Sequence, residues 1–157
     1  MTYVDNNRQA ARFFADATGV DEIISGHRGD AAKPEWRFIP ADYRTELDVA
    51  DRSVRLLVSL YAGFVSEHCT RYLRPGGWLL VNSSHGDAAL ASIDPRYCLV
   101  AGVNARAGSY TVTERDLDSY LIPKRPTTIT AELLHETGRG IAYTRSPFAY
   151  LFRREND

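Results

Sequence analysis

The chain has 157 residues, 44% of them hydrophobic, with six Phe, nine Tyr and two Trp, which is enough apolar material for a single globular domain spanning residues 1–157. Its 19 basic and 20 acidic residues leave a net charge of −1 and form no long run, which argues against a nucleic-acid partner, because phosphate-backbone binders gather Lys and Arg on one face. Two cysteines, Cys69 and Cys98, are too few for a disulfide framework and match no metal-ligand spacing, so no metal is expected.

The opening Met-Thr-Tyr-Val-Asp-Asn-Asn lacks the character of a signal peptide, and no apolar stretch approaches membrane-spanning length. The expectation is a cytoplasmic protein with no membrane partner. Thr2 to Val4 is a short β-prone segment ending at Asp5. Asn6 then reads as a helix N-cap with Gln9 three residues on, as in a capping box. Ala10, Phe13, Phe14 and Ala17 share one helical face, and Gly19 reads as the helix stop. Residues 21–35 read as a connection, and Trp36, Phe38 and Ile39 as a second strand running into Pro40-Ala41-Asp42-Tyr43. Thr45 to Arg55 is charged and reads as a turn or short helix. Leu56 to Leu60 is a third strand, followed by Tyr61-Ala62-Gly63 and a helix from about Phe64 to Leu73.

Tyr72 to Asp87 is the most informative stretch. Pro75 cannot continue a helix, and Gly76 and Gly77 supply the freedom for a sharp stop. Trp78 to Val81 is apolar without alternation, so the spacing predicts a buried strand covered on both faces. The polar loop Asn82-Ser83-Ser84-His85-Gly86-Asp87 follows, where open α/β sheets take their ligands. A helix from Asp87 to about Ser92 comes next, with Asp87 read as its N-cap, and then a strand from Tyr97 to Val103. Thr113 with Asp116 reads as a cap before Leu117 to Ile122, and Thr130 caps a helix that ends at Gly138. Ile141 to Thr144 and Ala149 to Phe152 are β-prone, the last reading as an antiparallel addition to the sheet. Strands alternating with helices imply an α/β class with a doubly wound, mostly parallel sheet.

Leu73-Arg74-Pro75-Gly76-Gly77 followed by Trp78-Leu79-Leu80-Val81, with a C-terminal antiparallel strand, resembles the class I S-adenosylmethionine-dependent methyltransferases from their second strand onward, over about residues 2–154. The resemblance implies a Rossmann-like sheet, and places Asp5 at the family's ribose-binding acid and Asp42 with Tyr43 near the adenine. Tyr61 matches the loop after the family's fourth strand, which faces cofactor and substrate. Asn82, Ser83, Ser84 and His85 match the loop after the fifth, on the substrate side. The implied cofactor is S-adenosylmethionine and the implied substrate a small molecule.

The family's first strand and helix and its glycine-rich turn have no counterpart ahead of Asp5. That strand lies mid-sheet, between the second and fourth, and an empty slot there leaves backbone groups unpaired on two strands. A truncated product, a rearranged sheet or a second polypeptide would each answer this. The reading taken is the last: a split fold whose partner subunit supplies the first strand and helix. Such a split is similar to the two-subunit, methyltransferase-like enzymes that close aziridine rings in azinomycin-type natural-product biosynthesis, where an internal amine displaces a sulfate.

Read from the residues alone, Asp5 is either a ligand acid or a turn acid at a helix N-terminus. Asp42 is either functional or the head of an Asx-turn, with Glu46 and Asp48 close behind. His85 is either a general base or a loop histidine capping backbone groups. Tyr61 either lines the site or packs at a strand end. Three functions follow: methyl transfer with His85 as base, ring closure with Asp42, Glu46 or His85 taking the amine proton, or a non-catalytic subunit that stabilises its partner.

Overall fold

The computed structural model describes residues 1–27 and 29–155, and its contacts divide into two compact units, Met1–Asp48 and Val49–Asp157. The architecture is α/β, with a two-stranded parallel sheet and a five-stranded mixed sheet. Among the described residues no helix is long and apolar enough to cross a membrane.

In the first unit, β1 (Thr2–Val4) runs parallel to β2 (Arg37–Ile39), with Tyr3 opposite Phe38. Helix α1 (Arg8–Ala15) starts one residue later than an Asn6 cap requires. Asn7 is the cap, and its side chain accepts the Gln9 N–H at 2.7 Å. On the expected apolar face Ala10 and Phe14 are half-buried, while Phe13 and Ala17 are exposed. Phe14 stacks on Phe38 with ring centroids 4.6 Å apart and also meets Tyr3 and Trp36, so aromatic contacts bind the helix to the strand pair.

Gly19 does not stop this helix. The break comes at Asp16, and a second helix, α2 (Ala17–His27), takes much of the segment expected to be a connection. Asp16 Oδ1 accepts the Gly19 N–H at 3.0 Å, and a Cβ on Gly19 would fall 2.4 Å from that carboxylate. The glycine therefore marks a helix start, tucked under its cap. Arg28, within the expected connection, lies outside the described residues.

In the second unit the strand order is β3-β4-β7-β5-β6: β3 (Val54–Ser59), β4 (Leu73–Val81), β5 (Tyr97–Arg106), β6 (Ser109–Thr113) and β7 (Ala149–Arg154). β3 and β4 are parallel; β7 lies antiparallel between β4 and β5, and β6 is antiparallel to β5. The sheet is thus mixed, where a mostly parallel one was expected. The β5–β6 hairpin is one reason. Its turn residues Ala107 and Gly108 have φ of 49° and 79°, a left-handed pair that matches the twist of a hairpin.

The helix expected from Phe64 to Leu73 is shorter, comprising α3 (Val65–His68) and a 3-10 turn at Thr70–Tyr72. Leu73 already pairs with Val54, and the next register pair is Leu56 with Trp78. The Pro-Gly-Gly segment is therefore an irregular excursion inside β4, with Gly76 at φ 69°.

Helices α4 (Asp87–Ile93) and α5 (Ala131–Thr137) contribute Ala88, Leu90 and Leu134 to a core with Leu79, Val81, Tyr150 and Phe152. The register sets these strand residues on one face, Leu79 opposite Phe152 and Val81 opposite Tyr150. On the other face Leu56, Val58 and Trp78 are 49%, 51% and 39% exposed, so the expectation of two covered faces fails for this strand pair. Thr130 Oγ1 accepts the Leu133 N–H at 3.2 Å, and Gly138 ends α5 at φ 58°, as the sequence predicts. Ile141 to Thr144 forms only a bridge, Tyr143 with Pro123. Arg154, buried at the end of β7, donates to the carbonyls of Thr70 (3.0 Å) and Leu73, which ties the last strand to the start of β4.

Candidate functional site

Because β3 and β4 are parallel, the loops after them open at the same end of the sheet, the end at which such sheets take ligands. Asn82, 6% exposed, joins the two loops. Its Oδ1 accepts the Tyr61 N–H at 3.2 Å, the Ser84 N–H at 3.4 Å and the Ser84 hydroxyl at 2.8 Å. The Asn82 N–H donates to the Ser59 carbonyl at 3.3 Å. Ser84 Oγ lies 2.8 Å from His85 Nδ1. Four of the expected residues, Tyr61, Asn82, Ser84 and His85, thus form one connected group.

Tyr61 is 68% exposed and has φ 58°, a left-handed conformation that costs a bulky residue of the order of 1–3 kcal/mol. The Asn82 amide holds its N–H in place. Ser83 takes part through its backbone: its carbonyl abuts Gly140, where a Cβ would fall 1.7 Å from the oxygen. Only glycine at position 140 allows this approach.

Beneath the group sits Asp87, which is not the cap of α4. Gly86, at φ 92°, holds the cap position, and Asp87 begins the helix with 1% exposure. Its Oδ2 accepts the Ser59 hydroxyl at 2.6 Å and its Oδ1 the Ser66 N–H at 3.0 Å, gathering the end of β3 and the starts of α3 and α4. Burial raises the Asp87 pKa, against hydrogen bonds from Ser59 and Ser66 that lower it. Burial, with the nearby Asp87 charge, also pushes the Cys69 thiol up to about 11, so this cysteine is unreactive at neutral pH. Sequence spacing carries no signal for these contacts, whose partners are 21 and 28 residues away.

The first unit holds the other expected residues. Asp5 Oδ1 accepts the Asn7 N–H at 2.8 Å, and Asn6 Nδ2 donates to Asp42 Oδ2 at 3.4 Å, so the loops after β1 and β2 meet. Asp42 heads an Asx-turn, accepting the Arg44 N–H at 2.9 Å, and its oxygens also take the Arg44 guanidinium, the closest contact at 2.6 Å. Tyr43 is half-buried and Glu46 exposed in the same loop. Asp48 is bound by Arg37 at 2.9 Å. Two of the three clustered acids are therefore held by arginines. A depression of about 480 Å³ in this unit, lined by Asp21, Lys33, Pro34, Glu35 and Trp36, contains none of the expected residues.

Among the described residues no group of three or more His, Cys, Asp or Glu is arranged to hold a metal ion. His135 instead bonds Glu67 at 3.0 Å, and His27 the Ile23 carbonyl at 2.9 Å. Compared with models of known protein families and with curated proteins, the chain matches none of either.

Proposed function

We propose that this chain is one subunit of a heteromeric enzyme with a doubly wound, Rossmann-like sheet of the methyltransferase type, acting on a small molecule by S-adenosylmethionine-dependent methyl transfer. The observation that supports this reading most is the linked group Tyr61–Asn82–Ser84–His85, set at the carboxyl ends of parallel β3 and β4 with an exposed imidazole at its rim. Strand β7, antiparallel beside β4, agrees with the arrangement that the Leu73–Val81 resemblance implies.

The residues fit the nucleoside half of the cofactor in one place. Asp5 is exposed and uses Oδ1 for Asn7, and its second oxygen can accept the hydroxyls of a ribose. Asp42 fits less well, since Arg44 occupies both its oxygens. No glycine-rich turn follows β1 or β2, so the amino-acid end of the cofactor falls to the partner in this reading. When bound, the cofactor supplies an electrophilic methyl group. The chain's own part is to align a nucleophile beside β4 and to take its proton on His85. A partner strand is consistent with β3, which has no neighbour on its outer edge among the described residues, and with a two-stranded β1–β2 sheet, marginal by itself.

Calorimetric titration of S-adenosylmethionine into the chain, co-expressed with the protein encoded beside it, tests the reading. Saturable binding is expected, weakened about 10- to 100-fold by Asp5→Ala, the loss of hydrogen bonds to a charged group. A folded complex that ignores the cofactor overturns methyl transfer and favours ring closure at the same base.

A further inference from the structure

The hydrogen-bond pattern around Ser84 determines where the imidazole of His85 carries its proton, and this inference rests on the reading of His85 as a base. Asn82 anchors the pattern. Its Oδ1 faces two backbone donors, the N–H groups of Tyr61 at 3.2 Å and Ser84 at 3.4 Å. A flipped amide would point its NH₂ at both, so these two donors fix which atom is the oxygen. Ser84 Oγ, 2.8 Å from that oxygen, therefore meets a group that only accepts, and its single proton is given to Asn82. Were that proton turned toward His85 instead, two oxygens would face each other at 2.8 Å without a hydrogen between them. With its proton committed, Ser84 Oγ has only lone pairs left for His85 Nδ1, also 2.8 Å away. Nδ1 must then be the protonated nitrogen.

We infer that Ser84 and Asn82 are positioning residues that hold neutral His85 in its Nδ1–H form, so that the unprotonated Nε2 is presented as the base for a neutral amine or hydroxyl nucleophile. The proton leaves the nucleophile for the Nε2 lone pair, giving an imidazolium whose Nδ1–H stays on Ser84. The anchor is buried and the base exposed: Asn82 is 6% exposed, whereas His85 lies at the surface. The polarity is that of a base oriented by the hydrogen bond on its other nitrogen. That Ser84 and His85 are neighbours in sequence is no obstacle to this arrangement, because the orienting group needs only to touch Nδ1.

The test reads the tautomer directly and requires neither substrate nor cofactor. Imidazole ¹⁵N spectra of the full chain are recorded at a pH where the ring is neutral, with His85→Gln used to assign the signal among the four histidines. The expected result is a protonated Nδ1 and a bare Nε2 in the wild type. In Ser84→Ala a shift toward the Nε2–H form is expected, and in Ser84→Thr, which keeps the hydroxyl, a return of the wild-type signal. A wild-type ring protonated on Nε2, or an Nδ1–H signal unchanged in Ser84→Ala, overturns the inference. If the tautomer is as expected but the complex ignores S-adenosylmethionine, the methyl-transfer reading fails and the positioning of His85 stands.

Discussion

Asp87 carries the floor of the loop group, and its burial works against its charge. The ordinary carboxyl pKa of 3.8 is raised in the folded state, chiefly by burial, so ionisation favours the unfolded chain. The contribution of this group to stability is complete below pH 3.8, falls as pH rises through the higher folded value, and then levels off. Asp87→Asn removes the charge and keeps a carbonyl for the Ser66 N–H. Urea unfolding across a pH series should therefore show the wild type losing stability relative to this variant as pH rises above 3.8. Equal pH dependence in the two proteins would contradict the assignment. Asp87→Ala instead leaves the Ser59 hydroxyl and the Ser66 N–H without their acceptor, and a loss of about 1–3 kcal/mol is expected at neutral pH.

At the scale of elements, the loop after β4 is shaped by the loop after α5 pressing on it. Gly140→Ala would place a methyl group inside the Ser83 carbonyl contact, so one loop must move. A destabilisation of about 1–3 kcal/mol is expected, with chemical-shift changes centred on Asn82 to His85, and the same spectrum before and after substitution would refute the contact. How much of this was legible in the sequence varies with the distance over which the signal acts. Thr130 and Gly138 bracket α5 as read, because capping is decided within one turn. The strand at Thr2–Val4 was legible as read, and the one read at Leu56 to Leu60 was found from its aliphatic run but lies at Val54–Ser59, starting inside the segment read as a turn or short helix. The β5–β6 hairpin was missed because Ala107-Gly108 lacks the usual Asn-Gly signature of its turn. Helix α2 was missed because Gly19 reads as a stop when its tertiary setting under Asp16 is unseen. The loop residues Tyr61, Asn82, Ser84 and His85 were singled out by position after a strand. Their linkage through one amide oxygen depends on how two parallel strands register, which no local pattern carries.

At the scale of the whole molecule, β3 is the end strand of the five-stranded sheet, with no strand on its outer side among the described residues. Leu56 and Val58 of its Leu-Leu-Val run stand half exposed, and Arg55 at the start of the strand is its only charged residue. The Ser59 carbonyl accepts the Asn82 N–H, so Ser59 and Leu57 point their backbone groups at β4 while Val58 points outward. Val58→Pro therefore removes an outward N–H and spares the β3–β4 ladder. It is expected to abolish co-purification with a partner while leaving the circular dichroism of the chain alone unchanged. Undiminished co-purification would rule out strand addition at this edge.

The measurement that bears most directly on the central claim is the mass of the purified species, taken together with S-adenosylmethionine binding on the same sample. The chain is purified alone and after co-expression with its neighbour, and each preparation is sized by analytical ultracentrifugation and titrated with the cofactor. A complex of two different chains is expected, binding S-adenosylmethionine where the single chain does not. A stably folded monomer, unchanged in mass by co-expression and indifferent to the cofactor, would contradict it.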